Sequence, residues 1–407
     1  MSEHTSPGVG RSWVVPMVAR RSDEEHRAAT PLELFFDLCF VAAVSQAATT
    51  LHHDLSERHF SQGLVGYSMM FFAIWWAWMN FTWFASAYDT DDVPYRLFTF
   101  VQISGVLVLA AGVPRAMDER EFGYVVLGYV IMRFAMVGQW LRAAFADPPR
   151  RTVALRYAGG IAACQVFWLS LLFLAEAPAT AAFLIGVVAE LAVPVWAERA
   201  ERTTWHPHHI AERYGLFTLI VLGESIISAT VAFQAALDSD ADAVNDLVLA
   251  ALGGLLIVFS MWWLYFAQPA NAATSRARRA SDETMRWSFI WGYSHVFVFA
   301  SAAAVGAGIA VVVDDVTGHS ELTRRGALLS VAVPAAIYVV SVWLTHRRGS
   351  TVSTMDIAAP VTAVLMVGAA LVGLPLVVIG LILAALVAVK VVAPPAEGEV
   401  SEDPVLA

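Results

Sequence analysis

Apolar stretches of about twenty residues succeed one another along nearly all of this 407-residue chain, and nothing else restricts its fold as tightly. A helix rises 1.5 Å per residue, so about 20 residues cross the ~30 Å of hydrocarbon in a bilayer. Twelve such stretches lie near 31–52, 63–86, 95–113, 122–145, 152–175, 179–198, 208–234, 246–267, 286–312, 326–346, 355–372 and 374–393. In lipid the backbone must satisfy its own polar groups, which leaves helices and closed barrels. These runs lack the alternation of barrel strands, and most are too long for them. The expected fold is an all-α integral membrane protein with 10–12 transmembrane helices. The range stays open because Gly373, Leu374 and Pro375 leave so short a loop that the last two stretches also read as one kinked hairpin.

The chain is 58% hydrophobic and 15% charged, with mean hydropathy +0.62, outside the range of soluble domains. Its net charge of −10 resides in tails and loops, so it argues for no nucleic acid. Residues 1–30 hold no apolar core of a cleavable leader, and the first span is expected to direct its own insertion. Cys39 and Cys164 both fall inside spans, implying neither a disulfide framework nor a cysteine-rich metal site. With the N-terminus placed in the cytoplasm, most of the 25 Lys and Arg fall on cytoplasmic loops, Arg150, Arg151, Arg276, Arg278, Arg279 and Arg347 among them. That asymmetry predicts both termini in the cytoplasm.

Self-comparison suggests a duplication. IWWAW at 74–78 and MWWLY at 261–265 each carry a tryptophan pair, Trp75 with Trp76 and Trp262 with Trp263. Each pair is followed by an acid four positions before an arginine, Asp92 with Arg96 and Asp282 with Arg286. Without gaps Glu33 aligns onto Glu212, which lays Ser45 and Gln46 on Glu224 and Ser225. Pro31 and Pro207 each suit a first helical turn. The expected organisation is a tail at 1–30, a six-helix half at 31–198, a cytoplasmic linker at 199–206, a second half at 207–394 in the same orientation, and a disordered cytoplasmic tail at 395–407.

Ionisable residues inside the spans are the candidate site, because a charge in hydrocarbon is costly unless it is paired, neutralised or wet. Glu33 and Asp37 lie one turn apart on the first span; Arg133, Glu190 and His295 fall near the midplanes of the fourth, sixth and ninth, and Glu224 past the middle of the seventh. Arg133 alone cannot neutralise these acids, so the surplus is expected to be protonated or to meet water and mobile cations. Gln46, His209, Glu212, Arg213 and Ser225 complete the candidate solute- or ion-binding set. Helix packing through neutral acids is the plain alternative. Adjacent histidines, His52 with His53 and His208 with His209, lack the spacing of zinc ligands, and no metal or cofactor is expected. HExxH, GxSxG and phosphate-binding glycine loops are absent from the sequence.

Three segments, TPLELFFDLCFVAAVSQ, WWAWMNFTWFASAYDTDDVPYRL and HHIAERYGLFTLIVLGESIIS, together resemble the low temperature requirement protein A (LtrA) family of bacteria. The resemblance spans roughly residues 25–390 and marks Glu33, Asp37, Trp75, Trp76, Asp92, Arg96, His209, Glu212, Arg213, Gly215, Gly223, Glu224 and Ser225. It implies a multi-pass protein of the bacterial inner membrane, and the family name records a growth phenotype. The leading expectation is a secondary transporter or channel-like permease for a small solute or cation, with Glu33, Asp37 and Glu224 titrating or coordinating and Arg133 as their counter-charge. An intramembrane enzyme acting on a lipid or isoprenoid, and a non-catalytic accessory protein for growth in the cold, are the alternatives. The expected partners are the lipid bilayer and an unknown small solute or ion, with a homo-oligomer compatible.

Overall fold

The computed structural model describes residues 13–21, 27–173, 179–238, 241–267, 282–347 and 353–392, with the side chains of some helix residues, Asp282 and Arg286 among them, outside the description. The described residues form twelve α-helices and no strand. In chain order they are α1 (Pro31–Ser56), α2 (Phe60–Tyr88), α3 (Val93–Asp118), α4 (Gly123–Ala146), α5 (Arg151–Leu171), α6 (Ala179–Ala197), α7 (Pro207–Asp238), α8 (Ala241–Phe266), α9 (Asp282–Thr317), α10 (Arg324–His346), α11 (Met355–Val372) and α12 (Leu376–Val392). Each matches one apolar stretch. Seven are long and apolar enough to cross a membrane, namely α1, α3, α4, α10, α11 and the parts of α8 and α9 at Val244–Phe266 and Ser288–Thr317.

Local chemistry sets the helix ends. Pro31 and Pro207 open α1 and α7, where a missing N–H does no harm. Thr30 and Glu33 cap α1 reciprocally, the Glu33 N–H donating to Thr30 Oγ1 at 3.3 Å and the Thr30 N–H to Glu33 Oε2 at 2.8 Å. The last two stretches are separate helices. Gly373 stops α11 at φ 86°, with its N–H donating to Ala369 O and the Leu374 N–H reaching the same carbonyl. A left-handed residue suits glycine, and it ends the helix in a single turn.

The chain divides into two compact units of interleaved segments. Unit 1 takes residues up to 39, 77–112 and 122–210, and unit 2 takes 40–76, 113–121 and 211 onward. In unit 1, α4 packs on α5 and α5 on α6. A Cβ on Gly128 would come within 2.6 Å of Gly105 O, so only glycine lets α3 and α4 approach this closely. Trp140 stacks on Tyr157 at 4.2 Å and meets Phe84 and Tyr88 edge-on.

The segment before α1, expected as a tail, contributes to unit 1. The Val15 N–H donates to Asp92 Oδ2 at 2.8 Å, the Ala19 N–H to Asp147 Oδ2 at 3.2 Å, and Met17 is fully buried. Fixed carboxylates at helix ends give this strand-like strap the backbone partners that a free tail lacks. In unit 2, α9 packs on α10, α8 on α12, and α10 on α11.

Candidate functional site

The densest gathering of buried ionisable groups lies in unit 1 around the first turn of α1. Glu33 is fully buried, and its capping contact leaves both oxygens available to other groups. Oε2 lies 3.2 Å from Nε2 of His209, which the first turn of α7 supplies, and Oε1 lies 3.4 Å from Nη2 of Arg27. Arg27 belongs to the stretch just before α1 and is also buried. Its Nη2 donates to Ala85 O at 2.7 Å and sits 3.6 Å from Asp89 Oδ2, while Nη1 donates to Ser86 O. The Ser86 hydroxyl accepts the backbone N–H of His206 at 2.9 Å.

Two carboxylates thus share one guanidinium out of water. Burial, then the neighbouring Glu33 charge, pushes the Asp89 carboxyl up to about 6 against the pull of Arg27. Burial also draws the Arg27 guanidinium down, with Glu33 opposing. Arg20 is a further cation that pulls the Asp89 carboxyl down, but burial and Glu33 outweigh it.

Other predicted residues of unit 1 have separate partners. Asp37 is fully buried and accepts Nε1–H of Trp78 at 2.7 Å, beside Phe36 stacked on Phe81 at 3.8 Å. Arg133 and Glu190, 3% and 2% exposed, pair with each other at 3.4 Å. Glu190 also accepts Nε1–H of Trp168 at 3.2 Å, and the guanidinium lies over the Tyr129 ring at 4.9 Å. Arg133 therefore serves Glu190, whereas the counter-charge expected of it beside Glu33 comes from Arg27. Asp92 accepts from Arg142 and caps α3 through the Tyr95 N–H at 3.0 Å. Partial burial would raise its carboxyl, but those bonds and the Val15 N–H hold it low. Arg96 pairs with Asp91 instead, through two bonds of 2.8 Å.

Unit 2 holds the remainder. Glu224 is half-buried and accepts the Ser45 hydroxyl at 2.9 Å, and Ser225 donates to Ala302 O at 3.1 Å. Arg213 is fully buried, Glu212 half-buried, and Gln46 exposed on α1. His295 is fully buried among Tyr214, Trp291 and Phe299, its Nδ1 donating to Trp291 O at 2.7 Å. Trp75 and Trp76 are buried against Tyr293, whereas Trp262 and Trp263 are exposed. Among the described residues, no three His, Cys, Asp or Glu side chains are placed to hold a metal ion.

A family model described as bacterial low temperature requirement A protein (LtrA) matches residues 28–392. The chain belongs to the LtrA family. A curated relative, "Uncharacterized protein RA0937" of Rhizobium meliloti (strain 1021), is 27% identical over 290 residues, covering 68% of this chain and 68% of its own. No solved structure matches. The LtrA match begins at residue 28, one position after Arg27, so the guanidinium of the cluster lies just outside the matched range. Arg27 and Asp89 are the members that sequence reasoning missed. Thr30 and Glu33 have the spacing of a capping box, which marks a helix start but carries no sign of Arg27 or Asp89. Asp89 stood at the head of the Asp-rich loop but was not separated from Asp91 and Asp92.

Proposed function

We propose that this LtrA-family membrane protein is a secondary permease that moves a small solute or cation together with a proton, and that Glu33 and Asp89 form its protonation site. One observation carries the reading: two buried carboxylates share the single guanidinium of Arg27, with His209 on the far oxygen of Glu33. Burial and the Glu33 charge raise the Asp89 carboxyl to about 6, which favours a proton that comes and goes close to neutral pH. His209 can donate or accept at the same oxygen, which gives the proton a second resting place. Arg20 and Tyr95 also act on Arg27 through their charges.

In this reading the protein lies in the bacterial inner membrane with both termini in the cytoplasm, as the distribution of Lys and Arg favours. The two six-helix halves share one orientation. A contact within unit 2 supports the duplication: Ser45 and Glu224 occupy matching positions when Glu33 is laid on Glu212, and their side chains hydrogen-bond. Residues related by a two-fold touch each other only near the axis, so in this reading the axis would run between α1 and α7.

The test is reconstitution into liposomes with a pH-sensitive dye inside and an imposed solute or cation gradient. Gradient-driven proton movement is expected in the intact protein and its loss in Glu33→Gln. Absence of any coupled flux in correctly inserted protein would return the cluster to a structural role and favour the accessory reading.

A further inference from the structure

The Arg27 guanidinium sits in a cradle of acceptors that its own segment does not supply. The carbonyls of Ala85 and Ser86 come from the last turn of α2, where the helix carries its partial negative end, and the carboxylates come from Asp89 just beyond it and Glu33 on α1. Two carboxyl groups and a helix terminus converge on the one guanidinium.

Arg27 fills that space imperfectly. Its approaches to Glu33 and Asp89, 3.4 and 3.6 Å, are longer than the ~2.8 Å of a charge-assisted bond. Neither carboxylate is gripped by the fork, and the Nε–H is buried with no acceptor among the described residues. An arginine evolved only as a clamp has a better geometry available, as Arg96 shows with both its bonds to Asp91 at 2.8 Å. A buried donor left without an acceptor costs about 1–3 kcal/mol, which weakens the hold of this occupant.

We propose that the cradle is a binding site for a small organic cation with several N–H donors, of the guanidinium or primary ammonium class, and that Arg27 is a tethered occupant which such a ligand displaces. This rests on the permease reading and names its cargo. The cation must be compact, because Arg27, Glu33 and Asp89 are all buried, and it must present donors on more than one edge to reach both carbonyls and a carboxylate. Displacing Arg27 loosens the stretch before α1, which contacts at Trp13, Val15, Ala19 and Arg20 also hold.

Full-length protein in nanodiscs decides the matter with guanidinium chloride and methylammonium chloride as probes and potassium chloride at equal ionic strength as control. Guanidinium is expected to bind Arg27→Gln about tenfold or more tighter than the wild type, and to raise its unfolding midpoint. Glu33→Gln added to that variant should abolish the effect. In the wild type, guanidinium should speed tryptic cleavage after Arg20 or Arg21 severalfold, a response that a merely structural arginine would not give. Should Arg27→Gln not fold, Arg27→Met, which also empties the cradle of its cation, takes its place with the same expected order. An equal response to potassium, an unchanged cleavage rate, or binding that survives Glu33→Gln overturns the proposal. Binding without uptake into liposomes supports the cradle while sinking the permease reading. Coupled flux of another solute without guanidinium binding does the reverse.

Discussion

Unit 1 and unit 2 hold their buried acids in different ways. In unit 1, Glu33, Asp37 and Glu190 are all but sealed from solvent, and each faces a cation or an indole N–H. In unit 2, Glu224 is half-buried and accepts the Ser45 hydroxyl. A sealed ion pair is held by the cost of leaving either charge buried alone, whereas a half-buried carboxylate can turn toward its surroundings when one contact is lost. The same residue type is therefore sealed in one unit and partly exposed in the other.

The largest break in that contrast should come from Arg133. Arg133→Met leaves Glu190 buried without its cation and is expected to cost about 3–5 kcal/mol, while Arg133→Met with Glu190→Leu should recover most of the loss. Thermal unfolding in detergent, followed by tryptophan fluorescence, measures both. Glu224→Gln should cost no more than about 1 kcal/mol in the same assay. Equal losses at Arg133 and Glu224 would erase the distinction between the units.

Asp89 gives the next effect, and its sign is fixed by the raised carboxyl. A group that binds its proton more tightly when folded adds stability that is complete below the ordinary value of 3.8 and is lost as pH rises through about 6. The full difference corresponds to about 3 kcal/mol. The unfolding midpoint should thus fall between pH 4 and 7, and Asp89→Asn should flatten that part of the slope. His209, Glu33, Arg27 and Arg20 face the same place, so a slope that persists in Asp89→Asn would assign the proton to Glu33 or His209.

The tryptophan pairs show how far the sequence could be read. Twelve apolar stretches became twelve helices because length and composition alone decide whether a segment suits a bilayer. Environment did not follow from the same signals. Trp75 and Trp76 are 1% and 0% exposed, but Trp262 and Trp263 in the matching motif are 45% and 47% exposed. Which face of a helix meets another is set by partners distant in sequence, and a motif on one helix carries no record of them. The charge cluster was half legible for a related reason: Glu33 stood out inside a span, whereas Arg27 and Asp89 lie outside the helices, where charged residues are ordinary. Trp75→Phe is accordingly expected to cost about 1–2 kcal/mol and Trp262→Phe less than about 0.5 kcal/mol. Comparable losses would mean that the exposed pair is covered in the membrane by something this chain does not provide.

The smallest effect tests the proposed duplication. Ser45→Ala removes one hydrogen bond at membrane depth, which is worth about 0.6 kcal/mol on average. Ser45→Glu alone places a second acid against Glu224 and should cost more than that. If the two positions are related by a two-fold, exchanging them as Ser45→Glu with Glu224→Ser rebuilds the same contact from the opposite helix. The exchanged protein should then unfold close to the wild type, with the two changes strongly non-additive. A midpoint equal to the sum of the single losses would show that α1 and α7 surround this pair with unlike environments, and the hydrogen bond would then say nothing about an axis.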